Sequence, residues 1–186
     1  VLNILIKPTR FNLPNIILDC QRAIKKLLVI FIYVLPMSVL ASVEPPKIDS
    51  VLIEKSKRKM YLISAGITYK EFDVSLGNSP IGHKQQQGDK RTPEGKYTIN
   101  YRNPNSRYHL SLHITYPNKA DKAKAHAMGV KPGGDIFIHG LPNGLGAEQA
   151  AFKYRDWTAG CIAVMNSEIQ EIWQLVKNGT AIEIRP

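Results

Sequence analysis

Apolar and polar residues alternate with a period of two through several short runs of the chain. In "YHLSLHITYP", Leu110, Leu112, Ile114 and Tyr116 fall on one face, and His109, Ser111, His113 and Thr115 on the other. That is the pattern of a half-buried strand. Similar β-rich runs cover 51–55, 59–64 and 67–76, with turn signals at Lys57-Arg58-Lys59 and at Ala65-Gly66, so they predict a three-stranded meander. "KYTINYRN", "GDIFIHG" and the closing "TAIEIRP" read as further strands. The period changes in "NSEIQEIWQLVKNG". Ile169, Ile172, Trp173 and Val176 stand at i, i+3, i+4 and i+7 and predict a helix with one apolar face. Ser167 with Gln170 fits a capping box, and Gly179 a C-terminal stop. "ADKAKAHAMG" predicts a short Ala-rich helix ended by Gly129, and "GAEQAAFKYRDW" a turn or two of helix. Residues 77–96, with four glycines and two prolines, read as a long polar loop. The sum is a mainly β domain with two or three helices, of the α+β class.

The first 41 residues have a different character. Lys25 and Lys26 precede an apolar run, Leu27–Leu35, broken by Pro36, and Val39-Leu40-Ala41 supplies the small residues of a cleavage site. This predicts a secretory signal peptide cut after Ala41, and export to the periplasm. An uncleaved inner-membrane anchor is the alternative, although the run is short of the ~20 apolar residues a spanning helix needs. Residues before Lys25 read as an upstream extension. Residues 42–48 then form a linker, and 49–186 the folded domain. The formal charge is +10 for the whole chain and about +6 beyond residue 41. That excess suits an acidic substrate or a polyanionic matrix, or serves solubility alone. The export signal and the lack of an aromatic-basic motif argue against a nucleic-acid binder.

Removing the leader removes Cys20 and leaves Cys161 as the one thiol of an exported chain. Structural cysteines in an oxidising compartment come in pairs, so an odd thiol there is buried and inert, partnered between chains, or reactive. A reactive thiol needs a base. Of the five histidines, His139 ends the apolar strand "DIFIHG" and is followed by Gly140, while Cys161 opens "CIAV" after Gly160. Both would sit at strand–loop boundaries, where a scaffold presents reactive groups. Gly160 would let a substrate carbonyl approach the backbone. The N–H of Cys161, joined by that of Gly160, would then donate to a developing oxyanion. Thr158 would orient the histidine or the loop. No Asp or Asn claims a third catalytic position; Asp156 is merely near in sequence. On the residues alone, Cys161 as a small buried hydrophobe and His139 as a structural histidine remain open.

"IFIHG" followed by "TAGCIAV" resembles the L,D-transpeptidase (YkuD-type) catalytic domain family, whose motif is a His-Gly pair followed by Ser/Thr-x-Gly-Cys. "GDKRTPEGKYTI" (88–99) is similar to a second feature of that family, and "SLHITYPN" and "NSEIQEIW" fit its YafK-like branch. The resemblance covers about residues 49–185. It implies a β-sandwich-like catalytic domain that uses no metal or cofactor. Cys161 would be the nucleophile and His139 its base. Thr158 and Gly160 would shape the nucleophile loop, and Gly140 would support the histidine. The substrate would be the peptidoglycan stem peptide at its diaminopimelate, in the service of cell-wall biogenesis and cell shape. Lys84, Arg91 and Trp157 are candidate substrate contacts. Two departures stand out. Ala159 replaces a frequent His, and Ala163 replaces a frequent substrate-binding Arg. The acyl-enzyme would pass either to an amine, giving a transpeptidase, or to water, giving a hydrolase that releases a peptide or a wall-anchored lipoprotein. Two other classes compete: a cell-wall binding module without chemistry, and a zinc site built on Cys161, His139 and another histidine, whose spacing matches no closed ligand set.

Overall fold

The computed structural model describes residues 44–186. The predicted leader and cleavage site lie outside the described residues; of the predicted linker, 44–48 are described. Eight strands run in chain order: β1 (Ser50–Glu54), β2 (Lys59–Ser64), β3 (Ile67–Asp73), β4 (Gly95–Ser106), β5 (His109–Ile114), β6 (Phe137–His139), β7 (Ile162–Ala163) and β8 (Ala181–Arg185). Two α-helices, α1 (Lys119–Ala127) and α2 (Asn166–Leu175), and a 3-10 segment, Ala147–Phe152, complete the described chain. The α+β expectation with two or three helices therefore holds.

The meander forms as predicted. β1, β2 and β3 pair antiparallel, and Ala65 (φ 50°) with Gly66 (φ 77°) makes the left-handed two-residue turn that matches strand twist. The full order is β3-β2-β1-β8-β4-β5-β6-β7. β8 lies parallel to β1 and antiparallel to the start of β4, while the rest of β4 pairs with β5. Two register shifts on the β4–β5 ladder, at Ile99/Tyr101 and Asn103/Ser106, bend the sheet there. The sheet is not closed, although two isolated bridges, Ser75 to Ala163 and Gly77 to Thr158, bring the chain after β3 back to β7 and the loop before it. That return is why the third strand ends at Asp73, short of the predicted 76.

One core draws on both halves of this curved sheet and on α2: Ile53, Leu62, Ile99, Leu112, Ile138, Ile162, Ile169 and Ile172 are all fully buried. Burying each such side chain stabilises the fold by about 1.5–3 kcal/mol. Ile48, placed in the linker by sequence, is already part of this core. The start of α2 differs from expectation. The helix begins at Asn166, and Glu168, not Gln170, closes the cap by accepting from the Met165 N–H. The side chain of Asn166 is engaged elsewhere, accepting from the Leu141 N–H at 2.8 Å. Gly179 (φ 91°) serves the following turn; the helix has ended at Leu175.

The 77–94 loop is cross-braced. Lys55 is buried, and its ammonium donates to the carbonyls of Gly82 and Thr92 and to Glu94 Oε1 at 2.6–3.0 Å. Three acceptors around one ammonium offset the cost of burying it.

Candidate active site

β6 and β7 pair in parallel, with Ile138 opposite Ile162 and His139 opposite Ala163. Because strand side chains alternate between faces, the two isoleucines enter the core while Phe137, His139 and Ala163 face the other way. Cys161, one residue before β7, continues the row opposite Phe137. The 22 positions of sequence separation between imidazole and thiol are thus closed by one strand pairing. Both line a groove of about 610 Å³, together with Asn103, Arg107, Tyr108 and Trp157.

His139 is buried, with only 4% of its surface exposed. Its Nδ1 lies 2.6 Å from the Gly140 carbonyl oxygen. A carbonyl can only accept, so Nδ1 carries the proton and Nε2 keeps a lone pair. The partner of this ring nitrogen is thus a backbone oxygen and not an acidic side chain. Burial disfavours the imidazolium and pushes His139 down to about 4, against a smaller opposing effect of the Gly140 carbonyl. The ring is held between the side chains of Tyr108 (centroids 4.5 Å apart) and Trp157 (5.7 Å). Gly140 has no room for a side chain: a Cβ there would lie 2.6 Å from Asn166 Oδ1.

Cys161 is a free, partly exposed thiol. Burial of the sulfur pushes its pKa up, the backbone N–H of Phe137 and the Lys84 ammonium pull it down, and the Asp135 carboxylate pushes it up again. At rest the thiol donates to the carbonyl of Asp135 at 3.6 Å. With burial raising one group and lowering the other, thiol and imidazole are both neutral at neutral pH.

The nucleophile loop is built from behind. Thr158 is buried; its hydroxyl donates to the Cys161 carbonyl (2.7 Å) and accepts from the Gly160 N–H (3.1 Å). Two sequence expectations narrow here. The Gly160 amide is engaged by Thr158, which leaves the Cys161 amide as the loop's candidate oxyanion donor. Thr158 orients the loop rather than the histidine. Glycine is needed at 160 because φ is 131° and a Cβ would lie 2.7 Å from the Arg91 carbonyl oxygen. The close neighbour is therefore the chain's own backbone. The segment "KRT" of the second motif lies against the nucleophile loop, and Thr92 Oγ1 accepts from Gly77 N–H at 3.0 Å.

The candidate substrate contacts divide. Trp157 lines the groove. Lys84 does not: it is buried and ion-paired with Asp89 at 2.8 Å, since a cation enclosed by a loop must find a partner inside it. Arg91 is also absent from the groove lining; its backbone carbonyl supports Gly160, and its guanidinium lies near Gly82. Asp156 binds Arg58 and accepts from Leu76 N–H, so it ties strand ends together. The sequence reading missed Tyr108 and Arg107 in the β4–β5 turn; only the strand–turn–strand pattern around "NSRY" could have pointed to them. Among the described residues no three His, Cys, Asp or Glu side chains gather as metal ligands.

Comparison with known proteins bears on this site. The sequence profile of the YkuD family, the L,D-transpeptidase catalytic domain, matches residues 48–184. The Escherichia coli (strain K12) protein named "Putative L,D-transpeptidase YafK" is 34% identical over 132 residues, which is 68% of this chain and 46% of YafK. Among solved structures, the helical cell shape determining protein Pgp2 from Campylobacter jejuni aligns with a TM-score of 0.56 and 28% identity, over 75% of this chain and 48% of Pgp2. Bd1075 of Bdellovibrio bacteriovorus shares the fold, with a TM-score of 0.52 and 24% identity over 77% of this chain and 49% of Bd1075. The chain spans about half the length of each of these relatives.

Proposed function

The chain belongs to the L,D-transpeptidase (YkuD) catalytic domain family, and from that premise we propose that it is an exported, cysteine-dependent acyltransferase acting on peptidoglycan stem peptides. The observation that carries this reading is the β6–β7 register, which places Cys161 and His139 on one face of the sheet and in one groove. Cys161 Sγ attacks the amide carbonyl of the donor peptide. As the S–C bond forms, the thiol proton passes to His139 Nε2, and the Cys161 N–H donates to the developing oxyanion. When the C–N bond breaks, His139 returns the proton to the leaving amine. The resulting thioester is resolved by an incoming amine. Because thiol and imidazole are both neutral at rest, proton transfer accompanies attack. The alternative acceptor is water; Ala163 stands where the family frequently has a substrate-binding Arg, and this keeps hydrolysis as the second reading.

Intact-mass analysis after mixing the protein with a carbapenem or with muropeptides tests the mechanism. A covalent adduct on Cys161, lost in Cys161→Ala, is expected. An adduct that persists in Cys161→Ala, or full activity of that variant on sacculi, would overturn Cys161 as the nucleophile; wild type that binds sacculi but gives neither adduct nor product would favour a wall-binding module. Product masses then separate amide exchange from hydrolysis.

A further inference from the structure

Resting on the acyl-transfer reading above, we propose that the tip of the β4–β5 hairpin is a carboxylate-binding subsite, with Arg107 as its anchor, for donor peptides that carry a free carboxylate beside the scissile amide. Arg107 is the one Lys or Arg side chain among the groove-lining residues, which also include the nucleophile and the histidine. It is exposed, and among the described residues it takes part in no ion pair. Two amides line the same groove, Asn103 and Asn105. The Asn103 side-chain oxygen accepts from the Asn105 N–H at 2.9 Å, which commits that oxygen to the turn and leaves the Asn103 NH₂ as a donor at the groove wall. A guanidinium with a neighbouring amide donor is matched to a carboxylate, which accepts in a planar, two-pronged geometry.

The tip is held in place by the segment that carries His139. Asn143 N–H donates to the Arg107 carbonyl (3.0 Å) and Asn143 Nδ2 to the Ser106 carbonyl (3.0 Å), while Asn143 Oδ1 accepts from His109 N–H (2.8 Å). Gly140 N–H donates to the Tyr108 carbonyl at 3.1 Å. The backbone at Arg107 is therefore tied to the segment that carries His139, without belonging to the nucleophile strand. It supplies from the neighbouring hairpin a cation that Ala163 does not.

The test compares a stem peptide ending in a free carboxylate with its C-terminal amide, using wild type, Arg107→Ala and Arg107→Lys. Cys161 alkylation by iodoacetamide, which has no carboxylate, checks that each variant keeps its thiol site. For the free acid, KM in Arg107→Ala is expected to rise about 10–100-fold with kcat nearly unchanged, because a charge-assisted pair is lost. Arg107→Lys should recover part of the loss, and on the amide the three proteins should agree within about twofold by the same reasoning. Equal losses on acid and amide, or no loss on either, would overturn the subsite while leaving the acyl-enzyme reading intact. Failure of wild type to form any acyl-enzyme would overturn both.

Discussion

Two imidazoles of this molecule are tied to the backbone through the same ring nitrogen, and they end up in opposite chemical states. At the tip of β6, His139 Nδ1 donates to the Gly140 carbonyl, so Nε2 is left with a lone pair. At the seam between the 77–94 loop and α1, His83 Nδ1 accepts from the Glu94 N–H at 3.0 Å, so Nε2 carries the proton and points at Asp121 Oδ1, 3.2 Å away. Asp121 in turn accepts from the Asn118 N–H as part of the α1 capping box. The second imidazole therefore has both nitrogens engaged and acts as a bracket. A histidine's role here is set by whether its backbone partner is a C=O or an N–H, and the residue type alone does not carry that information.

The sharpest way to break this comparison is to remove each ring in turn. His139→Ala should slow acylation of Cys161 by about 10²–10⁴-fold, the usual worth of a positioned general base. His83→Ala should leave the rate within about twofold, since a bracket outside the groove makes no contact with the reacting atoms. Stopped-flow or mass-resolved acylation kinetics reads both. Comparable losses in the two variants would end the distinction.

The pH dependence of stability tests the first of these two regions, with a smaller effect. An unfolded imidazole titrates near 6.5, whereas folded His139 is held down to about 4. Between those values the unfolded chain binds a proton that the folded chain refuses. Stability is thus indifferent to this group above about pH 6.5, falls as pH drops toward 4 by ~3 kcal/mol in total, and levels off below that. His139→Gln should flatten this part of the curve in urea titrations from pH 7 to 4, relative to wild type. An unchanged slope would show that the ring is not kept neutral by the fold. In the proposed reaction the same depression keeps the base unprotonated at pH 5, so acylation should persist there.

Much of this architecture was legible in sequence, and the parts that were not share a cause. The strand alternation of 109–116 and the apolar face of α2 follow from local periodicity and were read correctly. The pairing of β1 with β8 joins residues at opposite ends of the domain and leaves no local trace. Cys161 and His139 stood out because each is a reactive residue beside a glycine at the end of an apolar run. Their support is built from groups a sequence does not display: the Gly140 carbonyl on the ring, the Arg91 carbonyl behind Gly160, the Asn143 amide under the hairpin tip. Lys84 and Arg91 looked like substrate contacts because they are basic and lie in a polar loop. The loop folds back on itself, so that Lys84 finds Asp89 and Arg91 offers its backbone. The cap of α2 was misplaced because Asn166, which begins the helix, spends its side chain on Leu141.

The smallest expected effect is also the one that most directly measures the bracket. His83 is partly buried; it accepts one hydrogen bond from the loop, donates another to the first turn of α1, and sets its ring edge-on to Tyr116 with centroids 6.5 Å apart. Replacing it with alanine leaves the Glu94 N–H and one Asp121 oxygen without their partner in a partly buried seam, which should cost about 1–3 kcal/mol. His83→Gln offers an amide oxygen to Glu94 and an amide N–H to Asp121 and should recover part of that loss. Urea titration at pH 7 reads the difference, and hydrogen exchange localises it: amides of 83–94 and of the first turn of α1 should lose protection together, while those of β6 and β7 keep theirs. If protection near His139 fell equally, the two imidazole regions would be one cooperative unit, and the independence of base and bracket would have to be abandoned.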